Sequence, residues 1–457
     1  MEQLSTLIDT LSGYVWGIFG IIPLLIITGI VLMVGLRFMP LFKIGPALKT
    51  MWRGRKGAGD QGELTPWQAL MASMAATVGV GNIVGVATAI YFGGPGAIFW
   101  MWVTGFLGMA TKFCEATLAV KYREVAEDGS FVGGPMYYIK NGLGDHWKWM
   151  AALFAVFGMF ACFGIGNMTQ ANSVTANVVK MTGVPAEAVA IILLVLAGMV
   201  FLGGVKRIGK VVGSLVPTMC LIYVIGALVI IALNLDKVPG VFAEIFGSAF
   251  TGRGAAGGLM GSALLMAMRY GLARGLFSNE AGLGSSPIAH ATAQVKHPVK
   301  QGLLGMIDPF LDTIVVCSLT AMVILIAGQW TTSHDVVTSA AVLTNMSFES
   351  ALPGGFGGWL VTIGLTLFAF STILGWGLYG ERCVTYLFGR QASKPFYIVF
   401  TLVVPVGALM KLDFVWNFSD LMNGLMAIPN LVALLLLSPV VYKLTREFFS
   451  DPKNMED

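Results

Sequence analysis

Residues 75–85 read AATVGVGNIVG and lie in the middle of an apolar run that extends from residue 66 to residue 92. About 20 apolar residues suffice for a helix to cross a membrane, so this run predicts a transmembrane span. Gly79 and Gly81 each destabilise a helix interior by roughly 1 kcal/mol relative to alanine. Broken backbone at membrane depth is tolerated only where its free polar groups line a cavity or bind a ligand. We therefore expect this span to be discontinuous at the two glycines.

The composition of the whole chain is that of a membrane protein. Of the 457 residues, 56% are hydrophobic and 11% are charged, and the mean hydropathy is +0.78. Soluble domains carry about 25% charged residues, so a water-soluble globule is excluded. The apolar runs are continuous rather than alternating, which excludes a transmembrane β-barrel. The five cysteines form no spaced cluster with histidine, so neither disulfides nor zinc are expected.

Eleven apolar stretches are predicted to span the membrane. They lie near residues 13–36, 66–92, 97–120, 150–179, 185–204, 211–235, 257–285, 301–328, 358–380, 395–411 and 415–442. With the N-terminus outside, most of the 28 basic residues fall in inward-facing segments. Positive residues are enriched in cytoplasmic loops, so this asymmetry predicts an outer N-terminus and a cytoplasmic C-terminus. The basic residues, with a net charge of +4, therefore indicate membrane orientation rather than a nucleic-acid partner. The N-terminal segment MEQLSTLIDT has no Lys or Arg, so no signal peptide is expected.

Three segments between the spans have a distinct composition. Residues 39–54 mix apolar and basic positions and predict a helix on the membrane surface. Residues 132–142 predict a short, turn-rich cytoplasmic element. Residues 334–352 are polar enough for an external lid or for a plain solvated loop, and the sequence favours the loop.

A second broken segment, SNEAGLGSSP at residues 278–287, ends the seventh predicted span. At an offset of 203 residues, Gly79 corresponds to Gly282 and Gly81 to Gly284. Because the second copy begins five spans after the first, an odd number, it is upside down relative to the first. The prediction is one transporter domain over 1–457, with an extra first helix at 13–36 and inverted repeats at 66–235 and 257–442. Glycines that serve only helix packing are the alternative, but they leave the neighbouring polar residues unexplained. Inverted repeats with discontinuous helices are typical of LeuT-type secondary transporters.

Several motifs resemble the alanine/glycine:cation symporter family along nearly the whole chain. They are Ala75–Gly85 (AATVGVGNIVG), Gly93–Trp102 (GGPGAIFWMW), Gly164–Gln170 (GIGNMTQ), Phe277–Ser285 (FSNEAGLGS) and Phe370–Trp376 (FSTILGW). The resemblance implies an all-α integral membrane protein with the LeuT-type inverted 5+5 repeat. It also implies sodium-driven uptake of alanine, glycine or close analogues.

A broken helix offers both kinds of partner that an amino-acid zwitterion needs. The half-helix that begins near Gly81 presents free N–H groups and a partial positive charge to a carboxylate. Unwound carbonyls face the ammonium group or a cation, and glycines allow the backbone a close approach. The substrate or cation contacts predicted in this span are Thr77, Gly79, Gly81 and Asn82.

Other spans are predicted to complete the substrate pocket. Gln170 is the strongest candidate for a hydrogen bond to the substrate, and a bond between helices is its alternative role. Phe277 or Trp376 is expected to limit the pocket to a methyl-sized side chain. The seventh span contributes Phe277, Ser278, Asn279 and Gly282.

The resemblance also implies a sodium site. Ser371 and Thr372, with backbone carbonyls near Ala75 and Val78, resemble the sodium site shared by LeuT-type symporters. Sodium prefers hard oxygen ligands, which hydroxyls and carbonyls supply. The alternative is that both hydroxyls bond back to their own helix. No cofactor other than the transported sodium is expected.

Ionisable residues inside the spans leave the coupling ion open. Lys112 and Glu115 are expected to pair, as are Glu280 and Arg274. The carboxyl groups of Asp308, Asp312 and Glu280 provide an alternative, a proton-coupled amino-acid permease of the same fold. An enzyme, a channel and a nucleotide-driven pump are not expected, since the sequence has no corresponding motif. The expected setting is a functional monomer in the plasma (inner) membrane of a bacterium or archaeon.

Overall fold

Helices account for most of the chain in the computed structural model, which describes residues 2–17, 20–56, 61–127, 129–251, 260–331, 340–410, 413–451 and 454. The first part comprises α1 (Glu2–Val15), α2 (Ile21–Gly35), α3 (Met39–Phe42), α4 (Ile44–Arg53), α5 (Pro66–Thr77), a π-helix (Gly81–Gly85), α6 (Val86–Gly93) and α7 (Gly96–Lys121). The second comprises β1 (Glu124–Val125), β2 (Phe131–Val132), α8 (Pro135–Tyr138), a π-helix (Ile139–Leu143), a 3-10 turn (Asp145–Trp147), α9 (Lys148–Phe163), a π-helix (Gly164–Met168), α10 (Thr169–Thr182), α11 (Ala186–Phe201) and α12 (Gly204–Ala232).

The remaining helices follow in the same way. They are α13 (Val238–Thr251), α14 (Met260–Asn279), α15 (Ser286–His290), α16 (Pro298–Gly305), α17 (Ile307–Pro309), a π-helix (Phe310–Cys317), α18 (Ser318–Ala327), α19 (Ala340–Ala351), α20 (Phe356–Phe388), α21 (Ser393–Leu409) and α22 (Asp413–Ser450), with 3-10 turns at Gln329–Thr331, Pro353–Gly355 and Arg390–Ala392.

Seven helical stretches among the described residues are long and apolar enough to cross a membrane. The bent pair formed by α5 and the helix Gly81–Gly93 raises the count to eight. Three of the eleven predicted spans remain. Two of them correspond to the shorter apolar helices α2 and α11, and the other corresponds to α14. The chain is therefore a multi-pass membrane protein, and the count of eleven spans stays a prediction.

The broken span lies at the centre of the helix bundle. Thr65 begins α5 with a capping box, in which its hydroxyl accepts from the Gln68 amide and the Gln68 side chain accepts from the Thr65 N–H. Helix α5 is buried on almost all sides, against α12, α15 and α20. Helix α12 instead exposes large apolar side chains such as Leu221 and Ile225. An apolar exposed face is stable only in lipid, so α12 lies at the periphery and α5 in the interior.

Around this centre, α7 packs against α14 and α16, and α9 packs against α20 and α22. Helix α11 lies outside them, against α21. Helices α5 and α14, which carry the two breaks, pack mainly against other helices of the described residues, as expected where backbone polar groups must be satisfied within the membrane.

The structure bears differently on the three segments between the spans. Residues 39–54 form α3 and α4, with Phe42 and Trp52 exposed, as predicted for a surface helix. The prediction of a plain loop at 334–352 is wrong for 340–351, which form α19, while residues 332–339 lie outside the described residues. Leu343 and Phe348 of α19 are fully buried. The polar residues Thr344 and Ser347 lie beside them, so the sequence alone shows no clear apolar helix face here.

The segment 132–142 is short and turn-rich, as predicted, but much of it is buried. Tyr138 is fully buried and donates a hydrogen bond to Asn430 of α22. Strands β1 and β2 precede it as a small antiparallel hairpin. Burial acts to raise the pKa of Glu124 in β1, but hydrogen bonds of 2.8 Å from Lys140 and Asn141 outweigh it and hold that pKa below its usual value. These hydrogen bonds join the hairpin to the π-helix Ile139–Leu143, which follows α8.

Candidate functional site

The first break separates α5 from α6 at Val78, Gly79 and Val80. Helix α5 ends at Thr77, Val78 is extended, and the two halves of the span are bent by 51°. The side-chain oxygen of Asn82 accepts a hydrogen bond of 2.8 Å from the Gly79 amide. A Cβ at Gly79 would lie 2.5 Å from the Thr372 hydroxyl. Glycine is therefore required at this position, because the backbone approaches α20 too closely for any side chain.

The second break follows α14 and begins at Glu280. Glu280, Gly282 and Gly284 all have positive φ, at 54°, 89° and 83°. This conformation is unfavourable for glutamate, but its carboxylate is held from two sides. The indole of Trp376 donates to it at 2.9 Å and the hydroxyl of Ser285 at 2.6 Å. The predicted discontinuity is present at both glycine motifs.

Asp312 joins the two breaks. Its carboxylate accepts hydrogen bonds from Asn82 at 2.6 Å, from Ser278 at 2.9 Å and from Thr313 at 2.8 Å. All four residues are buried. Hard cations bind carboxylate and hydroxyl oxygens, and a carboxylate at membrane depth needs a compensating charge. The carboxylate of Asp312 with the hydroxyls of Ser278 and Thr313 is therefore a chemically suitable place for a monovalent cation.

From the sequence, Asp312 was predicted only as an alternative proton carrier. Its contacts with both broken spans were not predicted. The available signal was the spacing of Asp308 and Asp312, which are four apart and so lie on one helix face. In the structure each carboxylate reaches a different half of the broken span: Asp308 contacts α5, and Asp312 contacts Asn82 beyond the break. The partners themselves depend on packing between distant spans.

The predicted sodium residues lie next to the first break. The Ser371 hydroxyl is 3.3 Å from the carbonyl oxygen of Ala75, and Thr372 contacts the space beside Gly79. Both hydroxyls also donate to the carbonyl of Phe368, at 2.8 and 3.0 Å, as in the alternative interpretation. Val78 is buried and begins the unwound segment. The Ser371 hydroxyl and the Ala75 carbonyl are therefore adjacent, and the sodium site itself stays a prediction.

Gln170 also reaches the first break. Its side-chain amide donates to Ile165 within its own span, at 2.9 Å. Its carbonyl oxygen is buried with no hydrogen-bond partner among the described residues, and it lies 3.6 Å from the position of a Cβ on Gly79. An unpartnered buried acceptor is unfavourable by roughly 1–3 kcal/mol, so this oxygen is suited to a ligand's donor group. Asn167 and Asn172 donate to backbone carbonyls of α21 and so join two helices, although the side-chain oxygen of Asn167 is likewise buried with no hydrogen-bond partner among the described residues.

Phe277 and Ser278 complete the group around the break. A Cβ at Gly81 would lie 3.2 Å from Ser278 and 3.3 Å from the Phe277 ring. The structure therefore brings together Gly79, Gly81, Asn82, Gln170, Phe277, Ser278 and Thr372.

Four other predicted substrate residues are engaged elsewhere. Thr77 donates to Asp308 at 2.8 Å. Asn279 donates to Thr313 and accepts from Ala281, which stabilises the second break. Gly282 faces Leu25 and Leu431, and Trp376 packs on Gly166 while donating to Glu280.

A buried ion pair lies below the first break. The Lys112 ammonium is 3.0 Å from Asp308, and both side chains are fully buried. Asp308 also accepts from Ser73 at 2.6 Å and from Thr77 at 2.8 Å, so it holds the last turns of α5. This overturns the expected pairing of Lys112 with Glu115, because the packing of α7 against α17 brings the carboxylate of Asp308 next to Lys112.

Glu115 and Glu280 also have partners other than the expected ones. Glu115 accepts hydrogen bonds from Asn430 at 2.7 Å and from the Gly284 amide at 3.2 Å. Glu280 is held by Trp376 and Ser285 rather than by Arg274, whose guanidinium lies 5.5 Å from the centre of the Phe277 ring. The expected pair of Glu280 and Arg274 is therefore wrong. Trp376 of α20 and Ser285 beyond the break supply the hydrogen bonds to this carboxylate instead.

The N-terminal end of α5 is fastened to its neighbours. The amides of Glu63 and Leu64 donate to Thr292, and the Gln294 amide donates to Leu64. Glu63 also forms a 3.2 Å ion pair with Arg382, which is almost completely buried. These contacts join the N-terminal end of α5 to residues 292–294 and to α20.

Known proteins resemble this chain along its whole length. The model of the sodium:alanine symporter family matches residues 1–457. The sodium/alanine symporter AgcS of Methanococcus maripaludis is 47% identical over 451 residues, with 98% of each chain covered. The putative sodium/proton-dependent alanine carrier protein YrbD of Bacillus subtilis is 36% identical over 449 residues, which cover 95% of this chain and 90% of that protein.

Among solved structures, the crystal structure of MhsT in complex with L-phenylalanine has a TM-score of 0.55 and 14% sequence identity. The match covers 85% of this chain and 99% of that chain. MhsT is a LeuT-fold transporter, and a likeness at this identity shows the fold alone. The described helices therefore have the LeuT fold.

Proposed function

The chain belongs to the sodium:alanine symporter family, and from this premise we propose that it imports alanine and glycine together with sodium by alternating access. The family and the named relatives are transporters, so this protein is a transporter and not an enzyme. The observation that carries the sodium proposal is the buried cluster at Asp312, where both broken spans meet one carboxylate.

The proposed topology has eleven transmembrane helices, with the N-terminus outside and the C-terminus in the cytoplasm. It is supported by the distribution of basic residues and by the eight candidate spans. The spans in 66–235 and 257–442 form an inverted 5+5 repeat in this proposal, and the spans around the two glycine breaks are their first members. The setting is the inner membrane of a bacterium or archaeon, the protein acts as a monomer, and no cofactor takes part.

The proposed substrate site lies at the first break. The N-terminal end of the Gly81–Gly85 π-helix, with its partial positive charge, faces the substrate carboxylate, and the Gln170 carbonyl oxygen accepts from the ammonium group. Phe277 forms the wall beside the substrate side chain. Sodium binds at Ser371 and Thr372 with the carbonyls of Ala75 and Val78, and a second cation position lies at Asp312.

Thr372→Ala tests the first sodium position. Removal of this hydroxyl takes one oxygen ligand from the cation, so we expect the sodium concentration for half-maximal uptake to rise about tenfold. The rate at saturating sodium should fall far less. Uptake of labelled alanine is measured against sodium concentration, with Thr366→Ala as the control, since Thr366 is two turns earlier on the same helix and donates only to Thr362. An unchanged sodium dependence in a folded Thr372→Ala protein would remove Thr372 from the site.

Gln170→Ala tests the substrate position. The variant loses a buried acceptor beside Gly79 that has no hydrogen-bond partner among the described residues, so alanine affinity should fall about tenfold. Asn172→Ala is the matched control, because Asn172 lies on the same helix and donates to Gly407 and Met410. Alanine binding is measured by equilibrium dialysis at saturating sodium. Equal losses in the two variants would assign Gln170 to helix packing instead.

Uptake of radiolabelled alanine into proteoliposomes tests the function as a whole. An inward sodium gradient is compared with an inward proton gradient at the same membrane potential. We expect accumulation with sodium and none with protons alone. Absence of uptake under both gradients would refute the proposed substrate.

Proton coupling is the second candidate. Two observations favour it: the fully buried carboxylate of Asp312, and the name of the relative YrbD, a putative sodium/proton-dependent alanine carrier. In that case a proton occupies the Asp312 cluster in place of the second cation, and the proton gradient alone drives uptake.

A further inference from the structure

An apolar groove of about 360 Å³ lies between α11 and α21, away from both breaks. Its lining includes Gly198, Phe201, Leu202, Lys394, Tyr397 and Thr401. Gly198 has no side chain, and a Cβ there would lie 3.5 Å from the methyl group of Thr401. Beside them the rings of Phe201 and Tyr397 are stacked, with their centres 5.1 Å apart. The groove therefore forms where two small residues face each other next to a pair of aromatic rings.

The groove faces the surrounding lipid. Leu202, Ile398 and Leu402 line it and are exposed by 87%, 60% and 56%. Exposed apolar side chains of this size are stable against hydrocarbon rather than water. Lys394 and Leu402 are eight residues apart on α21, so the groove extends for about 12 Å along the helix. One leaflet of the hydrocarbon core is about 15 Å thick, so the groove has the length of an acyl chain segment within one leaflet.

One end of the groove is basic. Lys394 lines it in the first turn of α21 and is exposed. The Arg207 side chain lies over Gly203, next to Leu202, because a Cβ on Gly203 would collide with it. In the part of the chain that the structure describes, neither Lys394 nor Arg207 forms an ion pair with an acidic side chain. The N-terminal end of α21 has no side-chain cap and adds a partial positive charge.

The acidic residue near this end does not neutralise it. Glu381 of α20 acts electrostatically on Tyr397, but its carboxylate lies 3.6 Å from both Arg382 and Arg390. Its charge is therefore already compensated by those two arginines. The charges of Lys394 and Arg207 remain for a ligand.

The combination of an apolar groove and a basic end matches one class of ligand. Basic pockets between membrane helices on the cytoplasmic side bind anionic lipid head groups. The proposed topology places the end of α11 and the start of α21 on that side. A free anion would use only the basic end, and a neutral lipid would use only the apolar groove. An anionic phospholipid has both a phosphate and acyl chains, so it satisfies both parts.

We propose that this groove binds one anionic phospholipid of the inner leaflet, whose phosphate contacts Lys394 and Arg207 and whose acyl chain lies along Gly198 and Thr401. Carbonyls of α21 accept hydrogen bonds from Asn167 and Asn172, on the span that carries Gln170. The bound lipid therefore stabilises a helix that supports the substrate site. The proposal uses the proposed topology but not the identity of the transported substrate.

Native mass spectrometry of the purified full-length protein in detergent tests the proposal. The protein is titrated with dioleoyl phosphatidylglycerol, which is anionic, or with dioleoyl phosphatidylcholine, which has no net charge. For the first bound lipid, we expect the wild type to bind phosphatidylglycerol about tenfold more tightly. Lys394→Gln/Arg207→Gln should bind the two lipids equally. Its matched control is Lys121→Gln/Arg446→Gln, which removes two exposed basic residues outside the groove lining and should keep the preference.

Gly198→Leu tests the apolar part of the groove. A Cβ at this position has room, but the rest of the leucine side chain fills the groove, so both lipids should bind about tenfold more weakly. Unfolding temperatures close to that of the wild type show that the variants are folded.

Other results overturn the proposal. Equal affinities of the wild type for the two lipids would exclude recognition of the anionic head group, and so would a preference that persists in Lys394→Gln/Arg207→Gln. A preference that is also lost in the control variant would assign it to net charge. Unchanged binding in Gly198→Leu would exclude the groove. Inorganic phosphate in excess should leave the lipid bound, and full displacement would reassign the basic end to free phosphate. All of these results leave sodium-driven alanine uptake untouched, since that function is measured separately in proteoliposomes.

Discussion

Asp312→Asn is expected to lower sodium-driven alanine uptake about a hundredfold, the equivalent of about 3 kcal/mol. The substitution keeps the shape of the side chain but removes its negative charge. Hydrogen bonds to charged groups are worth roughly 1.5–3 kcal/mol, and Asp312 accepts three of them from Asn82, Ser278 and Thr313. It is the carboxylate that contacts both broken spans, so a cation at this position loses its counter-charge.

The measurement is the initial rate of uptake into proteoliposomes under a sodium gradient. Asp236→Asn is the matched control, because Asp236 is exposed between α12 and α13 and loses the same charge. An unfolding temperature of Asp312→Asn close to that of the wild type in detergent shows that the variant is folded. Uptake within threefold of the wild type would exclude Asp312 from the cation path. Rates that become independent of pH while sodium dependence remains would instead assign a proton to this carboxylate.

The second large effect concerns the buried pair of Lys112 and Asp308. Lys112→Met leaves a fully buried carboxylate without its counter-charge, and the loss of one partner of such a pair costs about 3–5 kcal/mol. Asp308 also holds Ser73 and Thr77, so the last turns of α5 should loosen as well. We therefore expect Lys112→Met to lower the thermal unfolding temperature strongly and to abolish uptake.

The double variant Lys112→Met/Asp308→Asn provides the control. It removes both charges, keeps an amide that accepts from Thr77, and should recover much of the stability lost in either single variant. The unfolding temperature of all four proteins in detergent, followed by tryptophan fluorescence, gives the coupling between the two sites. A double variant as unstable as the sum of its singles would show that the charges do not interact. A recovered stability without recovered uptake would show that the pair also serves the transport cycle.

Local sequence patterns predicted both breaks. Gly79 and Gly81 destabilise a regular helix, because glycine loses more conformational freedom on folding than other residues. Gly282 and Gly284 have a positive φ, which is unfavourable for other residues. The neighbourhood of Gly79 with Gln170 and Thr372 also follows the prediction, since the motif resemblance already placed these residues on the helices around the break. The roles of these residues in binding stay predictions.

Contacts between distant spans were the part that the sequence could not supply. Lys112 pairs with Asp308 across 196 positions, and Trp376 reaches Glu280 across 96. The spacing of Lys112 and Glu115 on one helix suggested a local pair, but burial favours the partner with the better geometry. Helix α19 was also missed, because its apolar face consists of few residues. Its helical structure depends on packing against α18 and α20.

The most direct test of sodium–substrate coupling at the broken helices is the affinity of the purified protein for alanine with and without sodium. In equilibrium dialysis, replacement of potassium by sodium is expected to lower the Kd for alanine at least tenfold. By linkage, alanine must tighten sodium binding by the same factor. The Asp312→Asn variant should lose most of this coupling. An alanine Kd that is equal in sodium and potassium would contradict a shared site for sodium and substrate between the two breaks.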